Sequence, residues 1–419
     1  MRPARRRRVE EAAREKYMAK EAKFRKELES ELTQNLLPFW IRHAVDPENG
    51  GFYGAVTNDL EVRNDVPRSA ILCARILWTF SAAHRVLGGE ENLAMARRAF
   101  DYLTGVFWDP EYGGLYFNVN AKGQPVFDRK HHYAQAFGLY GLSEYYRATK
   151  EEQSLKLAQS LFRLLEEHGY EPEHGGYIEG SGRKWDALAD MRLSEVDLDC
   201  RKSMNTNLHI LEAYTNLMRV WDDSQLKARH KALIETFLGH IVDPDAHHLR
   251  LFFDDAWNSL SSVFSFGHDI EGSWLLWEAA EAQGDEDLKK KVREVSLGLA
   301  DAVHREALEQ DGSIVYEGGP HGVANADKIW WAQAEAMVGF HNAYQLSGRE
   351  EFAAAAKGVW KYIREHVVDR EHGGWFKQLS RDGKPNPEHY KIGPWDCPYH
   401  AVRACLEMMA RLNAVDKKK

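Results

Sequence analysis

The sequence predicts an all-α fold, an (α/α)6 barrel of six helical hairpins with short β-hairpins at one end. Two observations predict it. A phrase recurs down the chain: Asp46-Pro-Glu-Asn-Gly-Gly-Phe, Asp109-Pro-Glu-Tyr-Gly-Gly-Leu, Glu171-Pro-Glu-His-Gly-Gly-Tyr and Asp369-Arg-Glu-His-Gly-Gly-Trp, with degenerate copies at Asp243-Pro-Asp-Ala-His-His-Leu and Gln310-Asp-Gly-Ser-Ile-Val-Tyr. Counted at Gly51, Gly114, Gly176, His248, Gly312 and Gly374, the copies lie 63, 62, 72, 64 and 62 residues apart, so one supersecondary unit is used six times. The stretches between copies carry helical periodicity and are long enough for two helices each.

The first helix is predicted over 15–43, before phrase one. Each phrase then opens a small hairpin: Phe-Tyr-Gly-Ala-Val follows Gly51, Leu-Tyr-Phe-Asn-Val follows Gly114 and Trp-Phe-Lys-Gln-Leu follows Gly374. These aromatic, alternating runs favour strands, and Asn58-Asp59, Lys122-Gly123 and Asp382-Gly383 supply turns. Helices follow in pairs at 67–87 and 91–107, 129–148 and 152–168, 202–221 and 225–241, 266–283 and 286–305, and 326–346 and 350–367, with a last one at 395–413. Ile71, Ala74, Arg75, Trp78 and Ala82 form one stripe, as do Leu208, Leu211, Tyr214 and Leu217. Runs such as Ile71-Leu-Cys-Ala are apolar nearly all round, as expected of helices covered on two sides. An open solenoid is the alternative; six units and no polar capping repeat favour closure. In a closed ring, the helix after each hairpin is the inner one, so ligand-facing residues should cluster in the first turns of the inner helices.

The chain has 419 residues and a formal charge of 55 − 64 = −9, which argues against a nucleic-acid partner. Residues 1–14 read as a frayed basic tail and 15–419 as a single catalytic barrel domain. The basic start lacks an apolar segment after it and is not a secretory signal. No apolar run is long enough for a membrane span. Cys73, Cys200, Cys397 and Cys405 show neither metal nor disulfide spacing, so a reduced, cytoplasmic setting is expected. No phosphate-binding loop is present. No metal or cofactor is expected, and the chain is expected to act as a monomer on a small molecule.

Three of the nineteen histidines hold equivalent places early in separate inner helices: His209, His268 and His400. Histidine gives or takes a proton near neutral pH, and two on opposite faces of an acidic carbon can invert it. Zinc binding is the competing reading of three histidines, weakened by the lack of a His-x-x-x-His pair or a nearby cysteine ligand. Glu271 lies three residues after His268, placed to orient it or to bind a hydroxyl. Trp330, Trp331, Trp395 and Tyr133 begin inner helices and suit the apolar face of a sugar ring. Arg75 sits in an apolar helix, where a charge must be paired or used; Glu335 is one possible partner.

The blocks Ala74-Arg-Ile-Leu-Trp-Thr-Phe, Lys130-His-His-Tyr-Ala-Gln-Ala-Phe, Ser203-Met-Asn-Thr-Asn-Leu-His, Ser265-Phe-Gly-His-Asp-Ile-Glu, Trp330-Trp-Ala-Gln-Ala-Glu and Trp395-Asp-Cys-Pro-Tyr-His, in that order, resemble the N-acylglucosamine 2-epimerase superfamily, and within it the cellobiose 2-epimerases. The resemblance covers nearly the whole chain after about residue 25. It implies an (α/α)6 barrel and a metal-free epimerisation at C2 of the reducing-end glucose of a β-1,4-linked disaccharide such as cellobiose or lactose. Carried over, His268 and His400 would be the acid/base pair and His209 would assist ring opening. Arg75, Tyr133, Asn205, Glu271 and Glu335 would contact substrate oxygens, and Trp331 and Trp395 would hold the sugars. Asn207 stands where relatives often have His; it is expected to be tolerated because His209 keeps the inward position. Within the same reaction class, an N-acylglucosamine 2-epimerase or a mannose aldose–ketose isomerase is the alternative. From a different class, an (α/α)6 glycoside hydrolase would need two carboxylates from among Asp269, Glu271 and Glu335, and a non-catalytic sugar-binding protein is a third option.

Overall fold

The computed structural model describes residues 18–417; the tail assigned to 1–14 lies outside them. Twelve helices run through the described residues. We label them α1 (18–43), α2 (Ala70–Leu87), α3 (Glu90–Tyr102), α4 (His132–Thr149), α5 (Glu152–Leu164), α6 (Met204–Met218), α7 (Ser224–Thr236), α8 (Phe266–Gln283), α9 (Glu286–Glu306), α10 (Trp330–Ser347), α11 (Glu350–Tyr362) and α12 (Tyr399–Lys417). The even-numbered helices form a closed inner ring, each packed on the next, with α12 returning to α2. Burial separates the two sets. Every residue from Ala70 to Ala83 of α2 is buried, whereas α3 buries only a stripe of Met95, Ala96, Ala99, Phe100 and Tyr102.

Six strand pairings lock the units, all antiparallel. Arg68 meets Val119, Lys130 meets Ser181, Lys202 meets Phe253, Phe264 meets Gly318 and Lys328 meets Leu379. In each case the strand after an outer helix returns to the strand before its inner helix. The sixth pairing, Val56 with Ile392, joins the two ends of the chain. This makes α1 the outer partner of α12 and closes the ring, as the six-fold repeat requires; the open solenoid is excluded.

The phrase is the turn that ends each outer helix. Its leading carboxylate accepts the backbone N–H groups two and three residues on, as Asp109 does from Glu111 and Tyr112, at 3.0 and 3.3 Å. The same side chain then pairs with a buried cation in the strand before the next inner helix: Arg68–Asp46, Lys130–Asp109 (3.0 Å), Lys202–Glu171 (3.0 Å) and Lys391–Asp369; in phrase five the roles are divided, Glu309 pairing with Lys328 while Asp311 accepts Ser313 N–H at 2.9 Å. From that inner helix an amide pins the residue after the glycines. Gln135 binds both backbone groups of Leu115 (2.7 and 2.9 Å), and Asn207 and Gln333 do the same for Tyr177 and Ile314. The second glycine has no room for a side chain: at Gly114 (φ +69) a Cβ would stand 2.7 Å from the Trp185 ring. Asn207 is therefore a structural residue of phrase three.

Two registers differ from the sequence expectation. Five of the six inner helices start two to four residues later than expected, because short strands such as Arg68–Ser69 and Lys202–Ser203 precede them, while α8 starts at Phe266 as expected. Trp395 consequently lies in the loop before α12 and does not begin it. In phrase five the bridged residues are Leu308 and Ile314, six apart, against seven for Trp108 and Leu115. Ser313, whose carbonyl accepts Glu309 N–H, thus takes the second-glycine place that Gly312 was expected to hold. The π-turns that end α3, α5, α7 and α11, at Leu103–Phe107, Leu165–Gly169, Phe237–Ile241 and Ile363–Val367, have no counterpart on α9.

Candidate active site

A cavity of about 490 Å3 opens at the end of the barrel where the inner helices begin. Arg75 reaches it from α2, Tyr133 from α4, Asn205 and His209 from α6, His268 and Glu271 from α8, Trp330 and Trp331 from α10 and His400 from α12. Trp395 and His389 close one side from the loop before α12. Nine of the ten expected site residues therefore line one cavity. The tenth, Glu335, does not; it lies beneath the wall, fully buried, with Oε1 2.6 Å from His400 Nδ1. It supports a histidine and is not placed to touch a substrate.

A segment that the sequence reading overlooked forms the opposite side. Residues Leu193–Asp197 line the cavity from a stretch, 182–201, without helix or strand. The signal was present in the repeat interval: Gly176 to His248 spans 72 residues where the interval before it spans 62, and the extra ten fall in this stretch. Ser194 and Asp197 fold its tip, with Ser194 Oγ donating to Asp197 Oδ2 at 2.6 Å. A smaller lobe of about 370 Å3 adjoins beyond it, sharing Asn205, His268 and Tyr316. A larger cavity, about 980 Å3, opens at the opposite end among the C-terminal turns of α6, α8, α10 and α12, and contains none of the candidate residues.

The three histidines are held differently. His400 Nδ1 bonds Glu335, and His209 Nδ1 bonds Glu212 Oε2 at 2.9 Å. Donation of Nδ1–H to a carboxylate leaves each Nε2 as the lone-pair nitrogen. His268 has no such support: its Nδ1 is buried without a partner among the described residues. Its ring is 4.7 Å from that of Trp331, which in turn lies 5.5 Å from His400. Both imidazoles thus pack against one indole on the cavity wall. Burial, together with the Arg75 and Arg403 guanidiniums, holds His400 well below its ordinary value; burial and His209 push His268 down to about 3. The ring of His268 is partly open to the cavity, and both imidazoles are neutral bases at pH 7.

The polar groups around them are ready for a hydroxylated ligand. Asn205 Oδ1 and Glu271 Oε2 are buried without partners among the described residues. Arg75, 3% exposed, donates to Tyr133 Oη at 2.6 Å and to Cys397 Sγ at 3.5 Å, with its guanidinium 4.2 Å over Phe137. Among the described residues no carboxylate pairs with it; the possible partner Glu335 does not reach it, and a phenol, a thiol and a ring surround it instead. Glu335 and Glu271 belong instead to Arg403, whose Nη2 donates to both at 2.6 Å while Nη1 reaches Glu212 and Tyr399. Glu271 does not orient His268. Glu271, Glu335 and His400 bring donor atoms within 4.8 Å of one another, a spacing a divalent ion could use, but the Arg403 guanidinium already bonds both carboxylates there.

A family profile for N-acylglucosamine 2-epimerase (GlcNAc 2-epimerase) matches residues 50–404, a span that contains every residue of this site. The chain belongs to the N-acylglucosamine 2-epimerase family. It is an epimerase-class enzyme built on that family's barrel. It is 45% identical to a cellobiose 2-epimerase of Bacteroides fragilis over 92% of this chain and 98% of the relative, and 39% identical to one of Ruminococcus albus over the same shares. The solved structure of the cellobiose 2-epimerase from Bacillus thermoamylovorans superposes with a TM-score of 0.89 at 42% identity, covering 93% of this chain and 100% of that one.

Proposed function

We propose that the protein epimerises C2 of the reducing-end glucose of a β-1,4-linked disaccharide, converting cellobiose to its glucosyl-mannose epimer and lactose to epilactose. The observation that carries this reading is the pair of imidazoles, His268 and His400, both packed against Trp331 and both lining one sugar-sized cavity. Ring opening exposes an aldehyde that makes C2–H acidic. One imidazole takes this proton and leaves an enediolate; the other, having first taken a proton from solvent, gives it to the opposite face, and the first then returns its proton to water. Each positioned base contributes about 10²–10⁴-fold. Arg75, which no carboxylate pairs among the described residues, suits the developing oxyanion. His209, backed by Glu212, suits proton transfer to the ring oxygen. Trp395, 38% exposed at the mouth, offers an apolar face to the second sugar.

Identity of 45% to an enzyme named for cellobiose favours the disaccharide over N-acylglucosamine. The hydrolase reading fares worse, because only one of its three candidate carboxylates, Glu271, lines the cavity, whereas Asp269 is bonded to Leu249 and His248 and Glu335 to Arg403 and His400. The test is NMR of cellobiose incubated with the protein in D2O. A mannose residue carrying deuterium at C2 is expected. Free glucose would establish hydrolysis instead, and unchanged cellobiose would contradict catalysis on this substrate.

A further inference from the structure

Two carboxylates meet one arginine nitrogen beneath the cavity, and they are not held alike. Glu335 takes three donors: Trp274 Nε1 on Oε2 at 3.0 Å, and Arg403 Nη2 and His400 Nδ1 on Oε1, each at 2.6 Å. Glu271 takes one, Arg403 Nη2 on Oε1 at 2.6 Å. Its Oε2 is buried, belongs to a residue that lines the cavity, and has no partner among the described residues. Both Oε1 atoms share the same nitrogen, so the two groups face each other across it. Glu212, from α6, occupies the other nitrogen of the guanidinium with Tyr399.

One guanidinium therefore serves three fully or almost fully buried carboxylates. Like charges this close in a dry wall do not all ionise; one group keeps a proton. Three donors stabilise the charge on Glu335, and Glu212 has Arg403, Tyr399 and His209. Glu271 has the fewest donors and the one oxygen free to carry hydrogen. We infer that Glu271 is a neutral carboxylic acid whose Oε2–H points into the cavity as a hydrogen-bond donor to the substrate oxygen that gains negative charge. A donor aimed at that oxygen strengthens as the charge develops, while no proton leaves Glu271. This assigns it the opposite polarity from a hydroxyl-accepting carboxylate.

The surroundings are consistent from every side. Arg403 and His400 face Glu271 from α12, the latter with Nδ1 at 3.7 Å; Glu335 faces it from α10, Glu212 from α6 and Tyr133 from α4. Burial, and next the charge of Glu335, push Glu271 up to about 8 against the opposing pull of Arg403. The protonated state itself is independent of the reaction; only the oxygen it meets rests on the proposed epimerisation.

The test has two arms. In infrared difference spectra of the whole protein at neutral pH, wild type minus Glu271→Gln should show a carboxylic-acid carbonyl band, and the band should fade from wild type as pH rises through about 8. The amide preserves a neutral group that accepts from Arg403 and donates into the cavity. Its kcat should stay within about tenfold of wild type, and the alkaline fall of kcat/KM should vanish. Absence of the band from wild type would overturn the proposal, and its own titration decides this even if the variant fails to fold. An unchanged alkaline fall in Glu271→Gln would overturn it too. If the band is present but cellobiose is not epimerised, the protonated acid stands and the proposed reaction falls.

Discussion

In repeat two, Lys130 reaches Asp109 from the strand before its inner helix, and Gln135, a neutral amide, pins the turn. In repeat four, the strand position is Phe264 and the second-glycine position is His248, with the two rings stacked at 3.7 Å. The cation has moved from the strand into the phrase. The pinning residue has changed with it: Asp269 accepts Leu249 N–H at 2.7 Å and bonds His248 Nδ1 at 2.7 Å, where its counterparts Gln135, Asn207 and Gln333 are amides. Asp243 finds its own cation in Arg250 at 2.8 Å. The phrase needs a closed turn tied to the next inner helix, and two different charge arrangements supply it. Repeat four's version lies next to His268, so the most divergent turn supports the helix that carries a proposed base.

The largest break of this comparison is expected in repeat two. Lys130→Met leaves the fully buried Asp109 with its two backbone N–H donors and, as its one cation among the described residues, the partly exposed Arg183 at 3.0 Å, and should cost about 3–5 kcal/mol in urea unfolding. His248→Ala in repeat four should cost about 2 kcal/mol, since it removes a stack and a charged hydrogen bond but leaves Asp269 on Leu249.

The two arrangements should also differ in pH sign. Asp46, Asp109, Glu171, Asp243 and Asp369 are held below their ordinary values by their N–H donors and cations, although burial opposes this. Their contribution is present above the unfolded carboxylate value and is lost as pH falls. For His248, burial works downward, but Asp269 and Glu306 raise it above 6.5. Its contribution is present below that value and is lost as pH rises through the raised one. The stability gap between wild type and His248→Gln should shrink from about pH 5 to about pH 9; a constant gap would remove the charge from this account. The smallest effect is expected at Gly50, where φ is +79 and nothing lies within 4 Å of an added Cβ. Gly50→Ala should cost only backbone strain, about 1 kcal/mol, in thermal unfolding.

How much was legible in the sequence follows from the range of each interaction. The repeat, the helix order and the cavity were readable because they rest on local periodicity and on positions early in each inner helix. Arg75, Tyr133, His209, His268 and His400 share that placement. Arg403 and Glu212 were not found: each sits inside an apolar helix, and what makes them matter is a partner 191 residues away along the chain. Arg75 stands out in the sequence as a charge to be used or paired; it lines the cavity, and the possible pairing with Glu335 does not form. Glu335 was read as a ligand contact because its block matched, while its side chain points one layer deeper, at His400. Trp395 reached the mouth from a loop that helical spacing does not describe.

The central claim is that two imidazoles work on opposite faces of one carbon. It is tested most directly by following C2 deuterium exchange in D2O with His268→Asn and His400→Asn, offered cellobiose and its mannose epimer separately. Each variant should lose epimerisation yet exchange the C2 proton of one epimer, and the two variants should exchange opposite epimers. Exchange of the same epimer by both, or wild-type interconversion by either, would contradict it.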